Sequence, residues 1–162
     1  MEILDLYNIQ GEKLNKTIAR GTKPNPNEYI KLATVWIKSD VRFLIQLCSE
    51  EKGSEYAVTG GHVTAGNTSQ KQALIETEEE LGITLKENDL QFLGSIYRGQ
   101  AIFDVYLYED EDYTLSNKEF NLQQSEVQDV CWLSKNDIED LIIKGEFRES
   151  SAEQYFKLIK NL

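Results

Sequence analysis

The first sixty residues carry the pattern of strands rather than of helices. β-Branched and aromatic residues are concentrated in short runs, and turn-forming residues separate those runs. Residues 21–27 include Pro24 and Pro26, which lack backbone amide donors and favour a loop. The pattern predicts five strands, at residues 3–7, 13–18, 29–38, 41–47 and 56–59. We expect the first two strands to form a small hairpin and the next two to form a second one.

The period of the apolar residues changes at residue 69. Residues 69–81 are rich in strong helix formers and stop just before Gly82, a suitable residue to follow a helix end. Asn67, Thr68 and Ser69 each carry a side chain that can cap the start of such a helix. The pattern therefore predicts one central helix, with its cap among these three residues.

Strand patterns return in the second half of the chain and give way to helices. Three strands are predicted at residues 90–97, 101–108 and 127–133, and two helices at residues 136–143 and 149–162, the first capped by Ser134. In the run 101–108 the odd positions form an apolar face, and the even positions, which include Asp104, form a mixed one. This order of elements predicts an α+β fold in which helices cover a mixed sheet. Residues 1–162 fit a single domain, with residues 1–27 as an N-terminal hairpin arm and loop.

The chain is strongly acidic, which narrows the range of partners. Its 28 acidic and 17 basic residues give a net charge of −11, which argues against binding long nucleic acids or anionic membranes. Part of this charge lies at residues 109–112, which we interpret as a solvated acidic turn. There is no apolar run of the ~20 residues needed to cross a bilayer, and residues 1–5 lack the features of a signal peptide. With only two distant cysteines, the chain is expected to be cytoplasmic.

Three acidic residues at the end of the central helix are candidates for metal binding. Glu76, Glu79 and Glu80 have the spacing that places side chains on one helical face. Their mutual repulsion and the negative end of the helix dipole both disfavour this arrangement in the absence of a cation. Carboxylate oxygens without a His or Cys cluster favour a hard ion such as Mg²⁺ or Mn²⁺. From spacing alone, a solvated acidic face in an acidic protein is an equally good interpretation.

The segment 60–83 resembles the signature box of the Nudix hydrolase family. That box reads Gly, five residues, Glu, seven residues, Arg-Glu, an apolar residue, any residue, Glu-Glu, any residue, Gly and an apolar residue. Six positions of this chain match it in register, namely Gly61, Glu76, Glu79, Glu80, Gly82 and Ile83. Outside the box, residues 4–8, Gly11, Ile45, Gln46, Lys52 and residues 126–133 are similar to the branch related to isopentenyl-diphosphate isomerase.

The resemblance implies a mixed-sheet α/β/α sandwich and hydrolysis of a small diphosphate-containing, nucleoside-diphosphate-type substrate with Mg²⁺ or Mn²⁺. It assigns metal binding to Glu76, Glu79 and Glu80, with the backbone of Gly61 nearby, and Glu76 and Glu79 also count as catalytic. Glu126 is a candidate general base. His62 and Asp104 are candidates for substrate binding, although each also has an ordinary structural role open to it. Homodimers are common among such relatives.

Two box positions depart from the family pattern, and so the box is degenerate. Asn67 stands where the family has Glu, and Ile75 where it has Arg, so a supporting ion pair is absent. The related branch often has arginines at the positions of Leu47 and Cys48. These departures leave open a weakened enzyme that acts as a ligand-binding or sensor domain. Isomerase activity is less expected, because Gly60 stands where the isomerases have a catalytic cysteine.

Overall fold

A computed structural model describes all residues from 1 to 162 and contains nine strands and three α-helices. The strands are β1 (Ile3–Tyr7), β2 (Lys13–Ala19), β3 (Ile30–Ser39), β4 (Arg42–Cys48), β5 (Tyr56–Ala57), β6 (Thr59–His62), β7 (Gln91–Arg98), β8 (Ala101–Glu109) and β9 (Val127–Leu133). The helices are α1 (Ser69–Leu81), α2 (Lys135–Ile143) and α3 (Glu149–Gln154), the last continued by a π-helical turn at Tyr155–Ile159. None of these helices is long and apolar enough to cross a membrane.

The central sheet opens into a V between β3 and β4. These two strands pair only beside their turn, where Lys38 faces Phe43 and Ser39 faces Arg42. Beyond that point β6 pairs with β3, and β5 pairs with β4, so the nearly continuous segment 56–62 fills the gap. On the outer sides, β8 runs parallel to β3 and β9 antiparallel to β4. The segment that leads into α1 is therefore held between two diverging strands.

Helices cover both faces of this sheet, as the α/β/α sandwich requires. Alternate residues of β3 point to opposite sides, so that Val35 packs in the core beneath α1, while Trp36 packs in the core beneath α2 and α3. The Gln154 side chain accepts hydrogen bonds from Trp36 (3.0 Å) and from Thr34 (2.9 Å), which ties α3 to the sheet. The predicted α+β fold with a mixed sheet is thus confirmed.

The N-terminal hairpin β1–β2 packs onto the loop that precedes α1. Leu4 forms a bridge with Thr64, and the backbone amide of Ala65 donates to the Ile3 carbonyl at 2.8 Å. The Asp5 carboxylate accepts a further hydrogen bond from the Gly66 amide at 2.9 Å. The predicted arm is therefore part of the folded domain, where it supports the loop of the box.

Three predictions about local structure need correction. The strand predicted at 56–59 is interrupted and continues through both glycines to His62. The C-terminal helix is not α-helical to its end, because buried Tyr155 and Ile159 are accommodated in a π-helical turn. The acidic turn is not wholly solvated, because buried Asp110 accepts hydrogen bonds from Ser39 (3.1 Å) and from the backbone amide of Leu115 (2.8 Å).

Candidate active site

One cavity, of about 270 Å³, lies where the V of the sheet meets the C-terminal half of α1. Its walls come from β4, β6, α1, the loop before β9, the N-terminal hairpin and the residue preceding α3. The charged residues that line it are the carboxylates Glu2, Glu76, Glu79, Glu80 and Glu126 and the cations Arg20, Lys52 and Arg148. Elements far apart in the chain thus bring opposite charges to one place.

Glu80 is the most firmly held of the carboxylates. It is only 5% exposed, and its Oε1 accepts a hydrogen bond from the Thr59 hydroxyl at 2.5 Å and from the Gly60 amide at 3.0 Å. Burial raises the pKa of this carboxyl, against the opposing effect of those two hydrogen bonds. A side chain at position 60 would collide with the Ala33 carbonyl, so glycine allows this part of β6 to lie close against β3.

Glu76 lies one turn earlier on α1 and is partly buried. Burial raises its pKa to about 7, although the hydrogen bond from Gln72 opposes the shift, and the charges of Glu80 and Glu79 add to it. A side chain at position 61 would meet the Glu76 carboxyl group and displace it, so Gly61 lets this carboxyl group lie directly against the strand. The carboxylates are therefore crowded in a way that a bound cation would relieve.

A neutral amide network occupies the place of the ion pair that the box lacks. Asn67 Nδ2 donates to Gln72 Oε1 at 3.1 Å, and Gln72 Nε2 donates to Glu76 Oε1 at 2.8 Å. Gln72 Oε1 also accepts from the Thr64 backbone amide at 3.2 Å, and Gln72 is only 4% exposed. Ile75 is half-buried. The loop and helix are thus joined through Gln72, and Glu76 is oriented without an arginine.

A third departure from the box is satisfied within the helix. Thr77 occupies the position of an apolar residue and is fully buried. Its hydroxyl donates to the Ala73 carbonyl at 2.8 Å, so the buried polar group has a partner.

The structure brings most of the predicted site residues together. Glu79 is exposed on the same face of α1, and Glu126 reaches the cavity from the loop before β9. Gly61 and His62 also line the cavity, and the pKa of His62 is lowered by burial and by the nearby Arg20. The helix cap, which the sequence left open, is Thr68, whose side chain accepts from the Lys71 amide at 3.1 Å.

Asp104 is not among the residues that line this cavity. Its Oδ2 lies 3.3 Å from Lys31 Nζ, its Oδ1 accepts a hydrogen bond from Ser95 at 2.6 Å, and the residue is 4% exposed. Lys31 also lies over the Tyr7 ring, at 4.8 Å from its centroid. The structure therefore places the Asp104 carboxylate in an ion pair with the partly buried Lys31 beneath the N-terminal hairpin, and substrate binding by Asp104 stays a prediction.

Three cations at the cavity were not identified as site residues from the sequence. Arg20 Nη1 lies 2.7 Å from Glu2, Lys52 Nζ lies 3.4 Å from Glu126, and Arg148 Nε lies 3.4 Å from Glu55. They come from β2's end, from the turn after β4 and from the residue before α3, so no local motif connects them. The one signal in the sequence was the positive charge of these side chains, because a phosphate-binding site in so acidic a chain needs a local basic patch.

The donor set of the cavity fits a hard divalent cation. The carbonyl oxygen of the Gln46 side chain is buried without a hydrogen-bond partner, in a residue that lines the same cavity as the glutamates. The carboxylates make an all-oxygen donor set, which suits Mg²⁺ or Mn²⁺, and the Gln46 oxygen is a further acceptor in the same cavity that still lacks a donor. No three acidic, His or Cys side chains lie close enough together to form a finished metal cage.

The chain is similar in sequence to known proteins. The family model described as NUDIX domain matches residues 33–156. An uncharacterized Nudix hydrolase of Listeria innocua is 34% identical over 152 residues, covering 91% of this chain and 88% of that protein. Nudix hydrolase 3 of Arabidopsis thaliana is 28% identical over 159 residues, but the match covers 88% of this chain and only 20% of that protein.

Solved structures share the fold at lower sequence identity. The DR0079 protein of Deinococcus radiodurans superimposes with a TM-score of 0.78 at 20% identity, covering 97% of this chain and 99% of the other. A bifunctional NMN adenylyltransferase/ADP ribose pyrophosphatase of Francisella tularensis, in complex with AMP and an Mn ion, has a TM-score of 0.66 at 19% identity. That match covers 87% of this chain and 43% of the other.

Proposed function

This chain belongs to the Nudix hydrolase family and is a Nudix-type hydrolase, and we propose that it cleaves the diphosphate linkage of a small nucleoside-diphosphate-type substrate. We propose Mg²⁺ or Mn²⁺ as its cofactor. The observation that carries the proposal is the single cavity in which Glu76, Glu79, Glu80 and Glu126 face Lys52 and two arginines. Carboxylates can hold divalent cations there, and the basic side chains can neutralise phosphate oxygens.

The residues of α1 would hold the cation. Glu80 and Glu76 present carboxylates fixed by their hydrogen bonds, Glu79 adds an exposed one, and the backbone near Gly61 passes close beside Glu76. When bound, the metal supplies charge neutralisation on the phosphoryl oxygens and a lowered pKa for a bound water. Replacing one of these carboxylates by a neutral side chain would therefore remove most of the hydrolase activity.

Two carboxylates are candidates for accepting the proton of the attacking water. Glu126 Oε2 lies at the wall formed by the loop before β9, 3.4 Å from Lys52 Nζ. Glu76 has a pKa raised to about 7 by burial, which suits a group that exchanges protons near neutrality. We favour Glu126 as the base, because Glu76 is already held by Gln72 and is needed by the metal.

The nucleotide character of the substrate rests on the family and on a neighbour. The Francisella tularensis protein of the same fold is an ADP ribose pyrophosphatase in complex with AMP and an Mn ion. His62 and Arg20 lie at the hairpin side of the cavity, where they can contact a phosphate or a ribose. The limited volume and the acidic surface of the chain favour a small compound over a long nucleic acid.

A ligand-binding or sensor domain is the second candidate. It is favoured by the departures at Asn67 and Ile75, which remove the ion pair that commonly supports the metal helix. The amide network through Gln72 argues against it, because Glu76 still has an orienting partner. Isomerase activity is disfavoured by Gly60, since no side chain fits at that position of the strand beside the Ala33 carbonyl.

The test is a screen of nucleoside diphosphate derivatives, including nucleotide sugars, with Mg²⁺ or Mn²⁺ supplied in turn. Wild type should release a nucleoside monophosphate from at least one of them, and Glu80→Gln should reduce that turnover by about 100-fold or more. The matched control is Glu78→Gln, which neutralises an exposed acid on the same helix. Turnover that survives Glu80→Gln unchanged would refute the site, and cation-dependent ligand binding without turnover would favour the sensor.

A further inference from the structure

One wall of the cavity is formed by an arginine from a part of the chain outside the box. Arg148 stands between α2 and α3, and its backbone amide donates to the Tyr56 carbonyl at 2.8 Å. The Tyr56 amide in turn donates to the Glu146 carbonyl at 2.9 Å, and Phe147 between them is 5% exposed. The backbone of Arg148 is thus attached to β5 in the manner of a short additional strand.

The Arg148 side chain extends from there to the position of Cys48. Its Nη2 lies 3.4 Å from Cys48 Sγ, and both residues line the cavity. The guanidinium group of Arg148 therefore fills the space beside position 48 and brings a positive charge there from another segment of the chain.

The hydrogen bonds of this guanidinium group are few and long. Its ion pair with Glu55 spans 3.4 Å and is partly exposed, and its contact with the Lys52 carbonyl spans 3.5 Å. The thiol of Cys48 is a weak acceptor, and Nη1 makes no hydrogen bond within the protein. A planar cation with free donors, facing a cavity, is suited to bidentate binding of a phosphate group.

A second observation at the same wall indicates a ligand. Gln46 is two residues from Cys48 on β4, is 4% exposed, and has a side-chain oxygen with no partner. A buried acceptor without a donor is costly, and a ligand hydroxyl or a water bound with the ligand would supply that donor. The wall therefore offers a cation for an anionic group and an acceptor for a neighbouring hydrogen-bond donor.

We propose that Arg148, with Lys52, forms a subsite for one phosphate group of a diphosphate ligand, while the neighbouring Gln46 oxygen accepts from a water or a hydroxyl group bound beside that phosphate. The proposal rests on the proposed function for the nature of the ligand. Glu76, Glu79 and Glu80 line the same cavity from α1, so they are available to the cation while Arg148 holds phosphate oxygens from β4's side. The subsite therefore favours ligands that place a phosphate group at the β4 side of the cavity.

The test measures binding rather than turnover, so that it separates the subsite from the hydrolase proposal. The probe is methylenediphosphonate, a non-hydrolysable diphosphate analogue, titrated calorimetrically in Mg²⁺ into wild type, Arg148→Ala, Arg148→Lys and the control Arg42→Ala at the exposed start of β4. Arg148→Ala should weaken binding by about 10- to 100-fold, as for loss of a charge-assisted hydrogen bond. Arg148→Lys should lose less affinity for the probe than Arg148→Ala, and Arg42→Ala should bind the probe with the affinity of wild type.

A relocation variant distinguishes the charge from local packing. Cys48→Arg combined with Arg148→Ala should bind the probe more tightly than Arg148→Ala alone, because it places a cation on β4 beside the position that the Arg148 guanidinium group occupies in wild type. Thermal melts of each variant establish that it is folded before titration. Wild-type affinity in Arg148→Ala, absence of probe binding by wild type, or a double variant no better than Arg148→Ala would each overturn the subsite. If wild type binds the probe through Arg148 but hydrolyses no compound in the screen, only the hydrolase proposal fails.

Discussion

Glu76 should destabilise the metal-free protein at alkaline pH, and Glu76→Gln should remove that effect. Burial raises the pKa of Glu76 from 4.5 to about 7, so the folded state keeps a proton that the unfolded state has lost. Between these two values the free energy of unfolding therefore falls as pH rises, and the full penalty is present above about 7. The shift from 4.5 to about 7 corresponds to at most about 3–4 kcal/mol, and screening of the part-exposed carboxylate brings the expected value to about 2 kcal/mol.

The assay is thermal unfolding in a chelator at pH 5 and at pH 8. Relative to wild type, Glu76→Gln should gain about 2 kcal/mol between these conditions, which for a domain of this size is roughly 4–8 °C in melting temperature. The Gln side chain is isosteric and retains an oxygen that can accept the Gln72 hydrogen bond. Glu78→Gln, at an exposed position of the same helix, is the matched control and should show no such gain. Equal pH dependence in wild type and Glu76→Gln would refute the assignment of a buried, crowded carboxylate.

Three further changes test other parts of the site. Gln72→Leu should lower kcat/KM about 10-fold or more and weaken Mn²⁺ binding measured by electron paramagnetic resonance, because Glu76 loses its orienting donor; unchanged Mn²⁺ affinity would contradict this role. Glu126→Gln should lower kcat by about 100-fold with little change in KM for the best substrate, as expected for a general base; an effect confined to KM would contradict it. Asp104→Ala should lower the free energy of unfolding by about 3 kcal/mol in chemical denaturation, because the partly buried Lys31 is left without its carboxylate partner; a loss of activity at full stability would instead support Asp104 as a substrate-binding residue.

Local signals were sufficient to predict the helix that carries the proposed metal ligands. Gly82 adopts a positive φ of 70° immediately after α1, and Thr68 caps its start, so both ends of the helix follow from residues adjacent to them. The spacing of Glu76 and Glu80 then determines their shared face. That Glu80 is buried against Thr59 and Gly60 follows from the pairing of β6 with β3, which no local pattern indicates.

The cations of the cavity depend on the tertiary fold. Arg20, Lys52 and Arg148 lie on segments separated by more than thirty residues, and they meet only because the sheet opens and the hairpin packs onto the box loop. No motif in the sequence around any of these three residues marks it as a site residue. No pattern in the sequence indicated that the Arg148 guanidinium group lies 3.4 Å from Cys48 Sγ.

Asp104 shows that the correct face of a strand does not by itself determine the role of a side chain. The period of two placed it on the mixed face of β8, as the structure has it beside Tyr106 on that face. The partner that neutralises it, Lys31, lies on the neighbouring strand β3, in a parallel register that the sequence did not specify. An acid on a mixed face is therefore ambiguous until its cross-strand neighbours are known.

Whether Glu80 is needed to hold a catalytic cation is tested most directly by steady-state hydrolysis of the best diphosphate substrate at a series of Mg²⁺ concentrations. Wild type and Glu78→Gln should show the same Mg²⁺-dependent kcat/KM, and Glu80→Gln should be lower by about 100-fold or more at saturating Mg²⁺. Hydrolysis by Glu80→Gln within twofold of wild type, or turnover by wild type that is unaffected by chelation, would contradict a metal-dependent site at the end of α1.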